Sequence, residues 1–423
     1  EQPLTAISNG TLISTKKQTN GDITYKWKLE QAYANYQTAI VVGAYTDITS
    51  VYNQTTIHNY AYPDEVDAVT ASVARLKDMF SFFESYTGVT YPFKNYNQVF
   101  VQDLPWGMSS AATSIQTENM VDDYGTHADY FYLWDGLDAE ALAQQWFGVL
   151  LSPASWSDNW LNKGMSRYFD QLFSEYKNGT DEMLLWNHLY DLNIYLGDWY
   201  NNYRHPIVTN EYPSEFTYVT DNYAYMRGAL VAHMLRKQVG ETAWKQGLQA
   251  LIAENKGKPI TTGMLQSAME KSCGTSLSTF FNQWLYAIGH PVFEVTQQYD
   301  ATNKLITVTL NQIQEKDTTT TYPQVDYFEG SMDIQIDGKL YNVFIAAKKE
   351  NRFIFPQNTA PQLVHIDYQS TWIKELVFEK SLTELIYQFE NDQDVLGRQW
   401  AMGEIVNFYN DSTTTAEQKA TII

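Results

Sequence analysis

Residues 137–169 read LDAEALAQQWFGVLLSPASWSDNWLNKGMSRYF, and they constrain the fold more than any other stretch. Leu142, Ala143, Trp146, Val149 and Leu150 recur at helical spacing and give residues 138–151 one apolar face. Pro153 breaks the pattern. Ser157 or Asp158 is then placed to cap a second helix carrying Trp160, Leu161, Met165 and Tyr168. Two apolar helices joined by so short a loop must pack on each other, and the remaining chain reads as a frame around them.

That frame is large. A chain of 423 residues exceeds one ordinary core, so two or three domains are expected. The formal net charge of −21 repels phosphate backbones and anionic lipid, which argues against nucleic-acid binding. No apolar run reaches the roughly eighteen residues a membrane span needs, so no membrane insertion is expected. Cys273 is the single cysteine, which excludes an intramolecular disulfide and a cysteine metal cluster. None of the seven histidines lies three or four residues from another. His127, with Asp122, Asp123 and Asp129 around it, reads as part of a solvated acidic loop. There is no P-loop, no GxGxxG and no GxSxG with an ordered Ser–Asp–His pattern.

Along the chain, residues 1–57 alternate as strands, with turn signals at Asn9-Gly10 and Asn20-Gly21. Pro63 opens one long helix over residues 64–85, and a strand follows at 97–102. After the central helix pair, helices are expected at 181–196, 223–239, 241–254, 262–271 and 276–287, with Gly197 and Gly240 as stops. Residues 291–378 alternate again and read as a small β-sandwich. Helical patterns resume from Ser381.

The WFG, the loop SPASWSDNWLN and the aromatic-rich helix after it resemble the active-site helices of the aminopeptidase N family of zinc peptidases. That family carries His-Glu-x-x-His before Trp-Phe-Gly, and a Glu in Trp-Leu-Asn-Glu-Gly on the second helix. The alignment has no gap, because residues 145–162 separate Gln144 from Lys163 with the family's spacing. Every reactive position differs. Glu140 and Gln144 stand at the two His positions, Ala141 at the catalytic Glu, and Lys163 at the ligand Glu. In LPWGMSSAATS, Gly107 and Met108 match the family's substrate-groove strand. Ser109 replaces the Glu that holds a peptide's amino terminus, and Ser110 the following Asn. Tyr225, in YMRG, falls at the Tyr whose hydroxyl stabilises the tetrahedral intermediate.

The resemblance covers essentially the whole chain and implies a multidomain α+β fold. The β tail of an N-terminal domain occupies 1–57, a thermolysin-like mixed α/β peptidase domain 58–290, a β-sandwich 291–378, and the start of a C-terminal α-helical domain 379–423. With its reactive positions replaced, the chain is expected to be a pseudopeptidase. It would have no cofactor, the family's zinc being absent, and would keep a groove for a peptide or protein ligand. The alternatives are a hydrolase of altered, metal-independent chemistry built on Glu140, Lys163 and Tyr225, and a structural module of a larger assembly. A charge buried alone is costly, so the Lys163 ammonium is expected near the vacant zinc position, in contact with Glu140. Trp106, Tyr223, Tyr225 and Trp284 are candidate groove aromatics, although such residues more often belong to the core.

Overall fold

The computed structural model describes residues 4–211, 220–412, 414, 415 and 419. It divides into two compact units, one of residues 1–178, 210–229 and 241–275, the other of 179–209, 230–240 and 276–423.

The first unit opens on strands β1 (Thr5–Ser8), β2 (Thr11–Lys17), β3 (Ile23–Lys28) and β4 (Ile40–Gly43), which pair as β1–β4 and β2–β3. Strands β5 (Thr46–Tyr52) and β6 (Thr55–Ala61) follow, then helices α1 (Val66–Ser72) and α2 (Leu76–Thr87). The single helix expected at 64–85 is thus two, interrupted where the Ala74 and Leu76 amides take tighter three-residue bonds to the Ala71 and Val73 carbonyls. Strands β7 (Asn95–Val101), β8 (Met108–Ser110) and β9 (Thr113–Thr117) complete a five-stranded sheet in the order β5-β6-β7-β9-β8. Apolar side chains weld it to the helices, with Ala61, Val69, Phe100 and Met120 forming one buried cluster. β8 is the edge strand, antiparallel to β9, and its other side has no strand partner among the described residues.

Helix α3 (Tyr124–Asp129) replaces the expected acidic loop. Asp123 caps it by accepting the Gly125 and Thr126 amides, and His127 is buried with Nε2 3.3 Å from Asp135. Helix α4 (Phe131–Gln144) starts earlier than the apolar pattern suggested and runs into a π-helical turn, Gln145–Leu150, which is the QWFGVL segment. Strand β10 (Leu151–Pro153) ends the first arm, and helix α5 (Trp160–Asn178) forms the second. Asp158 is not simply a cap for α5. Its carboxylate accepts both the amide and the hydroxyl of Thr262 at 2.8 Å, and Thr262 Oγ1 accepts from Trp160 Nε1 at 2.9 Å.

The two arms meet without room for another atom. A Cβ on Gly148 would lie 2.5 Å from Asn162 Oδ1, so the Gly of WFG and the Asn of WLN are direct packing partners. A Cβ on Gly164 would fall 2.8 Å from the Ala224 carbonyl oxygen and from the backbone of Gly228. Trp146, Phe147, Trp160, Leu161 and Phe169 are buried around this contact, and the Phe147 and Phe169 rings sit 4.5 Å apart.

Gln145 clasps the edge strand to α4. Its Oε1 accepts the Ala112 amide at 2.8 Å, and its Nε2 donates to the Ser110 carbonyl at 3.0 Å and to Ser109 Oγ at 3.1 Å. Ser109 in turn donates to the Ala141 carbonyl at 3.0 Å.

In the second unit, one continuous helical run covers Thr180–Met183, a π turn at Leu184–His188, and Leu189–Tyr200, so Gly197 does not stop it. A four-stranded sheet (Glu350–Pro356, Leu305–Gln312, Val292–Asp300, Glu375–Phe378) and a three-stranded one (Lys339–Ile345, Gly330–Ile336, Val364–Ile366) form the β-sandwich. Leu305–Gln312 alternates buried and half-buried positions, as a one-sided strand must. Helix Leu382–Asn391 starts at a Ser381–Glu384 capping box, and Val395–Asn410 follows.

Two outcomes are expected. Gly164→Ala forces a methyl group into backbone and should cost about 1–3 kcal/mol of stability, read as a lower denaturation midpoint. Gln145→Leu leaves the Ala112 amide and Ser110 carbonyl without their partner; it should cost about 1–3 kcal/mol and speed hydrogen exchange at Ala112.

Candidate functional site

The site is built from four elements of the first unit: the β8 edge, α4 at Glu140, Ala141 and Gln144, α5 at Lys163 and Arg167, and the π turn Tyr223–Arg227 that carries Tyr225. Positions 140 and 144 are one helical turn apart and share a face. The Gly164–Gly228 approach brings the Tyr225 turn against α5. These elements bring Glu140, Gln144 and Tyr225 into contact.

Glu140 is the hub. Its Oε2 accepts a hydrogen bond from the Tyr225 hydroxyl, and its Oε1 accepts Gln144 Nε2 at 3.2 Å. Glu140 is only 8% exposed, so these two donors replace the water that a carboxylate otherwise requires. Ala141 shows its carbonyl to Ser109 and has no group to take a proton.

Lys163 departs from the expected ion pair. It lies close enough for the Glu140 charge to act on it, yet its side-chain amine makes no hydrogen bond or ion pair among the described residues. Burial pushes the amine below the usual lysine value, and the Glu140 charge opposes that shift. Glu140 is satisfied by Tyr225 and Gln144 instead, both of which already reach it from rigid backbone. One turn further along α5, Arg167 bonds Asp170 at 2.6 Å, with its guanidinium carbon 6.0 Å from the Tyr225 ring centre.

Met108, Ser109 and Ser110 form the edge strand β8, with Gly107 directly before it. Met108 is 51% and Trp106 53% exposed, whereas Ser110 is buried and its backbone carbonyl accepts from Gln145 Nε2. Tyr223 is fully buried, and Trp284 is buried in the second unit against Phe328 and Trp372, so neither is a groove aromatic.

Sequence reasoning passed over Gln145 and the buried carboxylate beneath the site. Asp138 accepts Gln98 Nε2 at 2.7 Å and Gln116 Nε2 at 3.0 Å. Burial pushes its carboxyl up to about 7, against the pull of the Gln98 amide and with the Asp135 charge adding to the rise. A second glutamine directly after Gln144, in an otherwise apolar run, was the available signal for Gln145.

A three-ligand zinc site takes imidazole, thiolate or carboxylate donors. Glu140 alone is of that kind; Gln144 offers an amide, and Lys163 a group that is cationic when protonated. Among the described residues, no cluster of three or more His, Cys, Asp or Glu is arranged to hold a metal ion. These side chains do not fit the site as that family builds it.

Residues 71–284, just over half of the chain, match the Peptidase family M1 domain. Aminopeptidase A of Gloydius brevicauda is 26% identical over 243 residues, which is 56% of this chain and 25% of that protein. Transcription initiation factor TFIID subunit 2 of Schizosaccharomyces pombe is 25% identical over 273 residues, 62% of this chain and 23% of that one. The chain thus spans about a quarter of the length of these curated relatives. The crystal structure of Legionella pneumophila aminopeptidase A in complex with aspartic acid superposes with a TM-score of 0.83 at 16% identity, over 99% of this chain and 49% of that one.

These matches correct the cofactor expectation. Zinc was expected to be absent, but the family match and the aminopeptidases among these relatives run against that expectation, and the altered side chains alone do not show that this chain lacks the ion. A match over 71–284, a fold shared along nearly the whole chain and an ungapped helix pair lead to one assignment: the chain belongs to peptidase family M1.

Proposed function

We propose that this chain is a non-catalytic aminopeptidase homologue whose groove binds an extended peptide or protein segment without cleaving it. The observation that carries this reading is the engagement of Glu140 by Tyr225 and Gln144 beside Ala141. Peptide hydrolysis needs a base within reach of the attacking water and donors free for the developing oxyanion. Ala141 provides no base. The Tyr225 hydroxyl is donated to Glu140.

Binding is favoured by the β8 edge, whose outer side has no strand partner among the described residues and whose exposed Met108, with Trp106 nearby, suits the addition of an extended chain. Gln145 keeps that edge in register with α4. A relative named as a transcription initiation factor subunit is consistent with this fold serving a role other than peptide cleavage. The division into four parts at residues 57, 290 and 378 belongs to the same proposal.

The test is turnover of a panel of aminoacyl-4-nitroanilides by the full chain, with zinc supplied and bound zinc measured. No hydrolysis above a heat-inactivated control is expected for any side chain. Turnover abolished by Tyr225→Phe, with or without zinc, would establish an enzyme. The quadruple variant Glu140→His, Ala141→Glu, Gln144→His, Lys163→Glu restores the family's residues in the existing frame and is expected to gain zinc-dependent hydrolysis. A folded but inert variant would mean that the helices have moved from the spacing the chemistry needs.

A further inference from the structure

We propose that Lys163 is the receptor for a carboxylate of the bound chain, so that the groove selects an acidic group where its relatives select a free amine. This rests on the groove reading above and adds the chemistry of what the groove takes. Two observations carry it.

The first is an imbalance in hydrogen bonding. Glu140 has both carboxylate oxygens occupied by Tyr225 and Gln144, whereas the Lys163 amine has no hydrogen-bond or ion-pair partner among the described residues. Glu140 is buried with its donors in place, whereas Lys163 is partly exposed as a residue while its amine lies deep enough for burial to lower its pKa, so the unpartnered charge of this pair is the amine. An ammonium presents up to three donors and no acceptor, and an anionic oxygen is its strongest complement.

The second is the local sign of charge. The chain carries 49 acidic and 28 basic residues, yet the two partly exposed positions of residues 161–170 on α5 are Lys163 and Arg167. They are four residues apart and share a helix face beside Tyr225. The Arg167 charge is shared with Asp170, which leaves Lys163 as the cation not already engaged in an ion pair. On the β8 side, the position that anchors an amino terminus in the relatives is Ser109, which is uncharged and bonded to Ala141 and Gln145. By the family's pattern, Ser109, Ala141 and Lys163 stand at three Glu positions and Glu140 at a His position, so these side chains lose three carboxylates, regain one that is already engaged by Tyr225 and Gln144, and add one cation. That inversion favours a chain bringing a carboxylate, either its C-terminus or an Asp or Glu side chain.

The test uses the full chain and three probes: acetyl-tetraalanine as the free acid, the same peptide as its C-terminal amide, and acetyl-Ala-Asp-Ala-Ala amide. Binding is measured by ligand-observed NMR titration. At least one acidic probe is expected to bind roughly tenfold more tightly than the neutral amide, and comparison of the two acidic probes tells a C-terminal from a side-chain carboxylate. Lys163→Met is expected to abolish the preference and Lys163→Arg to retain it, with the melting temperature of each variant measured alongside. Equal binding of acidic and neutral probes to the wild-type chain overturns the inference and leaves the groove reading intact, and this comparison requires no variant to fold. A preference that survives in folded Lys163→Met also overturns it. Failure of all three probes to bind at millimolar concentration removes the groove reading itself, and the carboxylate with it.

Discussion

The close approach of backbone at Gly164 and Gly228 fixes the position of everything else in the site. With a Cβ excluded on Gly164, α5 can lie against the turn that carries Tyr225. The second close contact, Gly148 against Asn162, sets the spacing of the π turn from α5. Interiors packed this tightly do not slide. They hold side chains at the angles their backbone dictates, whether or not those side chains still perform the chemistry found in relatives. The persistence of WFG and WLN is thus a packing requirement, and it is separable from the identity of residues 140, 141, 144 and 163.

Inside that frame, hydrogen bonding decides the electrostatics. A buried carboxylate is tolerated when donors meet both oxygens, and Glu140 finds them in a phenol and an amide. Lys163 is near enough to feel the charge, but its long flexible side chain loses more freedom on being fixed than Tyr225 does. One oxygen of Glu140 therefore goes to the stiffer phenol, and the other to Gln144, one turn along the same helix. Beneath them, Asp138 repeats the pattern with two glutamine amides, at the cost of a carboxyl whose ionisation is shifted toward neutrality. Helix α4 thus carries three buried acidic residues, of which Asp138 and Glu140 are held by neutral donors and Asp135 by Arg75 and His127.

Much of this was legible in the sequence because periodicity and spacing report backbone. The helix pair and the β-sandwich follow from such patterns, whereas Ser109 and Tyr225 were placed by the family resemblance alone, which carried no contact between Tyr225 and Glu140. What escaped depends on local hydrogen bonding that periodicity does not encode. The break between α1 and α2 interrupts an unbroken apolar stripe. His127 is drawn inward by Asp135, which is itself bonded by Arg75, so an acidic run that reads as loop becomes a helix with a buried ring. Gly197 lies inside its helix because tertiary burial of the flanking Tyr195 outweighs the propensity of one residue. The choice of Tyr225 over Lys163 as the partner of Glu140 required the actual positions of three side chains.

The central claim is that Glu140 is held by Tyr225 as a structural pair. A double-mutant cycle on stability, with Glu140→Gln, Tyr225→Phe and both together, measures that coupling directly. A held pair predicts a coupling energy of about 1–3 kcal/mol, with the double variant much less destabilised than the sum of the two single ones. Additivity within about 0.5 kcal/mol would contradict it and leave both side chains free for another role.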